Sequence, residues 1–165
     1  MTSISVVTGN PQRASRTHRA AVALADAVAA VLPAAVQSSL DLGDLPLGDV
    51  PAVAAAQGSA LADAQIVVVA SPTYKASYTG LLKVFLDYLP TGSLAGRVVL
   101  PLMTVGGPGH SLAAEVHLRP VLVELGALVP FRSLVLTAAE LDGDTAPIAA
   151  YVDGIHPVLR RLLPD

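Results

Sequence analysis

The chain has 165 residues, 53% of them hydrophobic and 14% charged, with a net charge of −3 and no cysteine. A length of this order fits one domain and buries roughly two thirds of the unfolded chain's surface. The acidic balance argues against nucleic acid as the main partner, since phosphate backbones call for a basic face. Without cysteine there is no disulfide, thiolate nucleophile or Cys-held metal. Met1 to Ser5 lack the basic lead of a signal peptide. Residues 20–36 are apolar, but Asp26 and Pro33 interrupt them and they fall short of the ~20 residues of a membrane span. The expectation is a cytoplasmic protein, one domain over residues 1–165, whose excess apolar surface is covered in part by another subunit.

Ile4, Val6 and Val7 predict a first strand over residues 3–8, followed by the polar loop 9–17. A first helix runs to about Leu32, capped by Ser15 or Thr17 and ended by Pro33. A second strand is expected near 35–40, then a loop over 41–51 marked by Gly43, Pro46, Gly48 and Pro51. A second helix fits 53–64. The run Ile66-Val67-Val68-Val69-Ala70 is β-branched and continuous, as in a central parallel strand buried on both faces. Pro72 disfavours helical geometry at Ser71, so a loop must follow. The third helix reaches toward Pro90, with a core stripe of Leu81, Val84, Phe85 and Tyr88 and a second apolar face of Leu82, Leu86 and Leu89. A helix apolar on two faces predicts a homodimer or homotetramer. A fourth strand is expected over 97–103 and a glycine-rich loop over 104–109. A fourth helix follows over 111–125, containing Pro120 and ended by Gly126. The fifth strand is set at 130–136. The last helix spans about 146–163 and is kinked at Pro157.

Strands and helices alternate five times. The α/β pattern predicts a three-layer sandwich with a five-stranded parallel sheet, in the flavodoxin-like order 2-1-3-4-5. In that order the loops after strands one, three and four meet at a crevice where ligands bind. The first of them precedes a helix N-terminus, whose free N–H groups attract anions, and Arg13 and Arg16 add charge. A Gly-x-Gly-x-x-Gly fingerprint is absent after strand one, and so is Gly-x-Ser-x-Gly. Asp41, Asp44, Asp49, Asp142 and Asp144 fall in loops away from the crevice, and His18 and His156 read as surface residues. No spacing among the four histidines suits a metal.

The segment Ser71-Pro72-Thr73-Tyr74-Lys75-Ala76-Ser77-Tyr78-Thr79-Gly80-Leu81-Leu82-Lys83 closely resembles the NADPH-dependent FMN reductase family. The resemblance implies that this loop passes along the FMN isoalloxazine ring, with Pro72, Thr73, Tyr74, Lys75 and Tyr78 in the site. Gly106-Gly107-Pro108-Gly109 matches the family's Gly-Gly loop, which lets backbone approach the ring, and His110 matches a recurrent position beside it. Gly9-Asn10-Pro11-Gln12-Arg13-Ala14-Ser15 resembles the family's phosphate loop. It departs at Asn10, where serine is common, and at Gln12, where arginine is usual. Gly9, Asn10, Arg13, Ser15, Arg16 and Thr17 are the expected phosphate-side residues, with Arg13 or Arg16 supplying the charge. His117 is either an ordinary helix residue or the histidine of a π-bulge found in some members that serve two-component monooxygenases.

The activity so implied is reduction of FMN by NADPH or NADH, as in the flavin reductases of two-component alkanesulfonate monooxygenase systems. The partners are then flavin, nicotinamide and a flavin-dependent monooxygenase. The cofactor carries the chemistry. The nicotinamide C4 must come within about 3–3.5 Å of flavin N5, and no catalytic side chain or metal is required. Backbone amides at Thr73 and Gly107 would stabilise reduced flavin. The alternatives are an electron carrier, an FMN-bound quinone or azo reductase, and a flavin-binding regulator. A carrier commonly clamps its flavin between aromatics. This chain has no Trp, and only Tyr74 and Tyr78 fall in the crevice loops.

Overall fold

The computed structural model describes residues 2–141 and 145–163. The elements are β1 (Thr2–Thr8), α1 (Arg16–Val31), β2 (Ala34–Asp41), α2 (Val50–Asp63), β3 (Ile66–Pro72), α3 (Gly80–Asp87), β4 (Val98–Val105), α4 (Arg119–Glu124), β5 (Leu134–Thr137), α5 (Ala138–Leu141) and α6 (Ala146–Leu162). The strands form one sheet in the order β2-β1-β3-β4-β5, parallel at every pairing. This is the flavodoxin-like order expected from the sequence. The central strand β3 explains both layers. Ile66, Val68 and Ala70 pack with α1 and α6 on one face, through Leu24, Val152 and Leu159. Val67 and Val69 pack with Leu82, Phe85, Leu118 and Leu122 on the other. A strand buried on both sides must be apolar at every position. Among the described residues no helix is long and apolar enough to cross a membrane.

Several boundaries differ from the sequence reading. Helix α2 starts at Val50 rather than 53, because Pro51 falls in its first turn, where a missing N–H costs nothing. Strand β3 runs on through Ser71 and Pro72, and the Thr73 N–H continues the pairing onto the Thr104 carbonyl at 2.8 Å. Strand β5 starts at Leu134 rather than 130. Its lead-in is occupied by side chains: Arg119 donates to the Phe131 carbonyl (2.8 Å) and the Val129 carbonyl, and Glu115 accepts from the Ser133 N–H (2.6 Å). Backbone groups spent this way are not free for a ladder. The short helix α5 was not foreseen. Helix α6 runs on through Pro157.

The expected fourth helix splits. Ala114–Leu118 form a π-helix in which the Arg119 N–H reaches the Ala114 carbonyl, and α4 begins at Arg119. Pro120 has no N–H to return to the Val116 carbonyl, and the widened turn stands immediately before it. His117 lies in this π-turn, exposed. The third helix is corrected as well. Leu82, Phe85, Leu86 and Leu89 are buried in the chain's own core, whereas Tyr88 is 57% exposed. The face assigned to another subunit therefore packs on this one, and the oligomer expectation loses that support. Asp142 and Asp144 lie outside the described residues.

Candidate functional site

The loop after β1 is shaped by short polar side chains. Asn10 Oδ1 accepts from the Gln12 N–H at 2.9 Å, and its Nδ2 donates to Thr17 Oγ1 at 3.3 Å. Thr17 Oγ1 lies 2.8 Å from Thr104 Oγ1, which ties the first turn of α1 to the end of β4. Of the two expected caps, Ser15 takes the role: its hydroxyl accepts from the His18 N–H at 3.1 Å. Gly9 answers a packing demand, because a Cβ there would lie 2.3 Å from the Cβ of Leu82. His18 is not a plain surface residue. It is half-buried, with Nδ1 3.0 Å from Thr8 Oγ1.

The loop after β3 is closed at its base by Ser71, whose hydroxyl accepts from the Thr79 N–H at 3.0 Å. At its tip, Tyr74 and Ser77 exchange backbone hydrogen bonds of 2.8 and 3.1 Å. The two residues between them, Lys75 (φ 50°) and Ala76 (φ 65°), both take left-handed geometry, the signature of a type I′ turn.

These loops enclose a cavity of about 450 Å³, within the range of small-molecule sites. Its walls bring together Asn10, Ser15, Arg16, Thr17, Pro72, Thr73, Tyr74 and Gly106 from the expected set. Gly9, Arg13, Lys75, Tyr78, Gly107 and His110 are not on this wall. Arg13 turns away: its Nε donates to Asp44 Oδ1 at 2.7 Å with the side chain 76% exposed. Burial pushes the Tyr78 phenol above its ordinary range, with Lys83 opposing and Asp87 adding to the shift.

The sequence reading missed Arg19, Thr104, Val105, Ala138 and Leu141, which also line the cavity. Arg19 was discoverable, three residues beyond Arg16 on the same helical face. Thr104 and Val105 end β4, where this topology places ligands. Ala138 and Leu141 belong to α5, which carries no clear sequence signal. Arg16 and Arg19, in the first turns of α1, put two arginines on the cavity wall in a chain of net charge −3. Thr73 also lines the cavity, with its Oγ1 buried and without a hydrogen-bond partner. An added Cβ at Gly106 would meet nothing within 4 Å. Open backbone on the wall of a cavity lets an occupant approach the chain closely.

The fold and cavity define a flavodoxin-like protein with a crevice lined by two arginines. Residues 2–140 match the NADPH-dependent FMN reductase family, and the chain belongs to it. It is 51% identical over 67 residues to an FMN reductase (NADPH) of Escherichia coli (strain K12), covering 41% of this chain and 35% of that protein. It is 34% identical over 127 residues to the NADH-dependent FMN reductase SfnF of Pseudomonas fluorescens (strain Pf0-1), covering 72% and 67%. The match thus spans about a third of the first of these relatives. Among solved structures, an apo NADH:FMN oxidoreductase (EMOB) superposes with a TM-score of 0.87 at 32% identity, over 100% of this chain and 92% of that one.

Proposed function

We propose that the chain is an NAD(P)H-dependent FMN reductase whose single domain holds FMN in the crevice. One observation carries this reading: a single cavity brings Arg16 and Arg19 of the first turns of α1 together with Thr73 and the open backbone at Gly106. Ser15, Arg16 and Arg19 would hold the phosphate. Asn10 and Thr17 spend their polar atoms on each other and on Thr104, so they set the loop's shape. Pro72, Thr73, Tyr74 and Gly106 would line the ring, with Lys75, Tyr78, Gly107 and His110 outside the immediate wall. When bound, FMN supplies the hydride acceptor. The chain's residues bind and orient, and no side chain needs to move a proton at the nicotinamide carbon.

The relatives include both NADPH- and NADH-dependent enzymes, so either nicotinamide is a fitting donor. Reduced flavin would pass to a flavin-dependent monooxygenase. A homodimer or homotetramer remains part of the proposal, now supported by exposed Leu112, Val116 and Val123 on the helical stretch through α4 and by Tyr88. Light scattering at micromolar concentration tests it, and a monomeric mass refutes it. Flavin titration tests the site: FMN binds more tightly than riboflavin, which lacks the phosphate. Equal affinity for the two contradicts the phosphate assignment.

A further inference from the structure

We propose that Asp41 is a positioning residue that sets the shape of the phosphate loop and, through it, selectivity for phosphorylated flavin; this rests on the FMN reading above. Asp41 ends β2 and is 7% exposed. Its Oδ2 accepts from the Ala14 N–H at 3.0 Å, and its Oδ1 accepts from the Gly43 N–H at 3.1 Å. The first bond reaches across 27 residues into the loop between β1 and α1. Ala14 is left-handed, at φ 46°, a geometry that an alanine leaves unless it is held. The Ala14 carbonyl in turn accepts from Arg19 Nη1 at 3.0 Å. Asp41 therefore holds the N–H of one left-handed residue whose carbonyl, in the next peptide, orients an arginine on the cavity wall, directly before the Ser15 cap.

The turn after Asp41 reinforces the same loop. A Cβ at Gly43 would lie 2.7 Å from the Asn10 carbonyl oxygen and 3.0 Å from the Arg13 nitrogen, so the turn rests on the loop's backbone. Asp44 holds Arg13 at 2.7 Å. His18 Nδ1 stands 4.0 Å from Asp41 Oδ2 and 3.0 Å from Thr8 Oγ1.

A carboxylate behind an anion site opposes the ligand electrostatically. Its usefulness there is geometric: two N–H donors converge on it, and an asparagine offers only one oxygen. Charge and geometry therefore predict opposite signs for Asp41→Asn. If the charge dominates, FMN binds the variant more tightly.

FMN and riboflavin titrations of wild type, Asp41→Asn and Gly43→Ala, with thermal unfolding of each, decide the matter. Asp41→Asn is expected to weaken FMN by about tenfold, the scale of one lost buried hydrogen bond, and to leave riboflavin unchanged. Gly43→Ala is expected to shift the same ratio in the same direction. Tighter FMN binding, an unchanged ratio, or equal weakening of both flavins overturns the proposal. If Asp41→Asn does not fold, the ratio in Gly43→Ala decides it alone. Failure of the wild type itself to prefer FMN refutes the phosphate site instead.

Discussion

The Thr79 hydroxyl donates to the Gly9 carbonyl at 2.5 Å, joining the loop after β3 to the loop after β1. The same oxygen accepts from the Leu82 N–H at 3.1 Å and caps α3. One buried side chain thus holds two walls of the crevice and starts the helix behind them. Thr79→Val keeps the volume and removes both bonds. It is expected to cost about 2 kcal/mol in urea unfolding, the sum of a cap and a buried hydrogen bond. Thr79→Ser keeps both groups and should retain most of the stability. A valine variant as stable as wild type contradicts this account of the crevice.

The arginines separate by position. Arg16 and Arg19 line the cavity, whereas Arg13 lies off its wall with Nε 2.7 Å from Asp44 Oδ1. Arg16→Ala and Arg19→Ala should each weaken FMN by about tenfold, as expected for a lost charge-assisted bond, with riboflavin little changed. Arg13→Ala should have a smaller effect on FMN and cost under about 1 kcal/mol of stability, because its ion pair is exposed. Fluorescence titration of the three variants checks the order. A larger loss of FMN binding from Arg13→Ala than from the other two would reverse the assignment.

The tip of the loop after β3 is strained. Lys75 and Ala76 are both left-handed and exposed. Ala76→Gly removes a disfavoured geometry with little loss of contact. The expected gain is about 0.5–1 kcal/mol, the relief of strain less the entropy that glycine adds to the unfolded chain. Denaturant unfolding measures it, and a destabilised variant shows that the turn is not strained as described.

Acid stability should depend on Glu115. Burial works to raise its pKa, but the hydrogen bonds from Ser133 and the nearby Arg119 outweigh it, and the carboxyl is held below its ordinary value. A lowered folded pKa gives stability that is present above the unfolded value of about 4.3 and lost as pH falls through the folded one. The stability gap between wild type and Glu115→Gln should therefore be full above about pH 5 and close at lower pH. A gap independent of pH would assign Glu115 a role in packing alone.

The alternation of elements and the apolar run at 66–70 made the sheet order readable, because a central parallel strand must be apolar on both faces. Side chains that replace backbone partners were not readable. Arg119 and Glu115 delay β5, and no local pattern announces that a helix residue will occupy carbonyls ten residues away. Periodicity placed Phe85 in the core correctly, with Leu81 and Val84 packed against it, but put Tyr88 there and turned Leu82, Leu86 and Leu89 outward, because only the sheet decides which of several equally apolar faces it covers. At the site, the loops were legible from residue type and resemblance. The division of labour within them was not. Arg13 and Arg16 look alike in sequence, and Asp44, a distant residue, takes one of them out of the crevice. Asp41 looked like a loop acid for the same reason, because its partner Ala14 lies 27 residues earlier.

Steady-state oxidation of NADPH and of NADH by the purified protein, followed at the nicotinamide absorbance band with and without added FMN, tests the central claim most directly. The expected result is oxidation that requires FMN, supplied or retained, and that is lost in Gly106→Leu, where an added Cβ meets no protein atom within 4 Å and the side chain would crowd the cavity. No oxidation of either nicotinamide in the presence of FMN, by a folded protein, contradicts it.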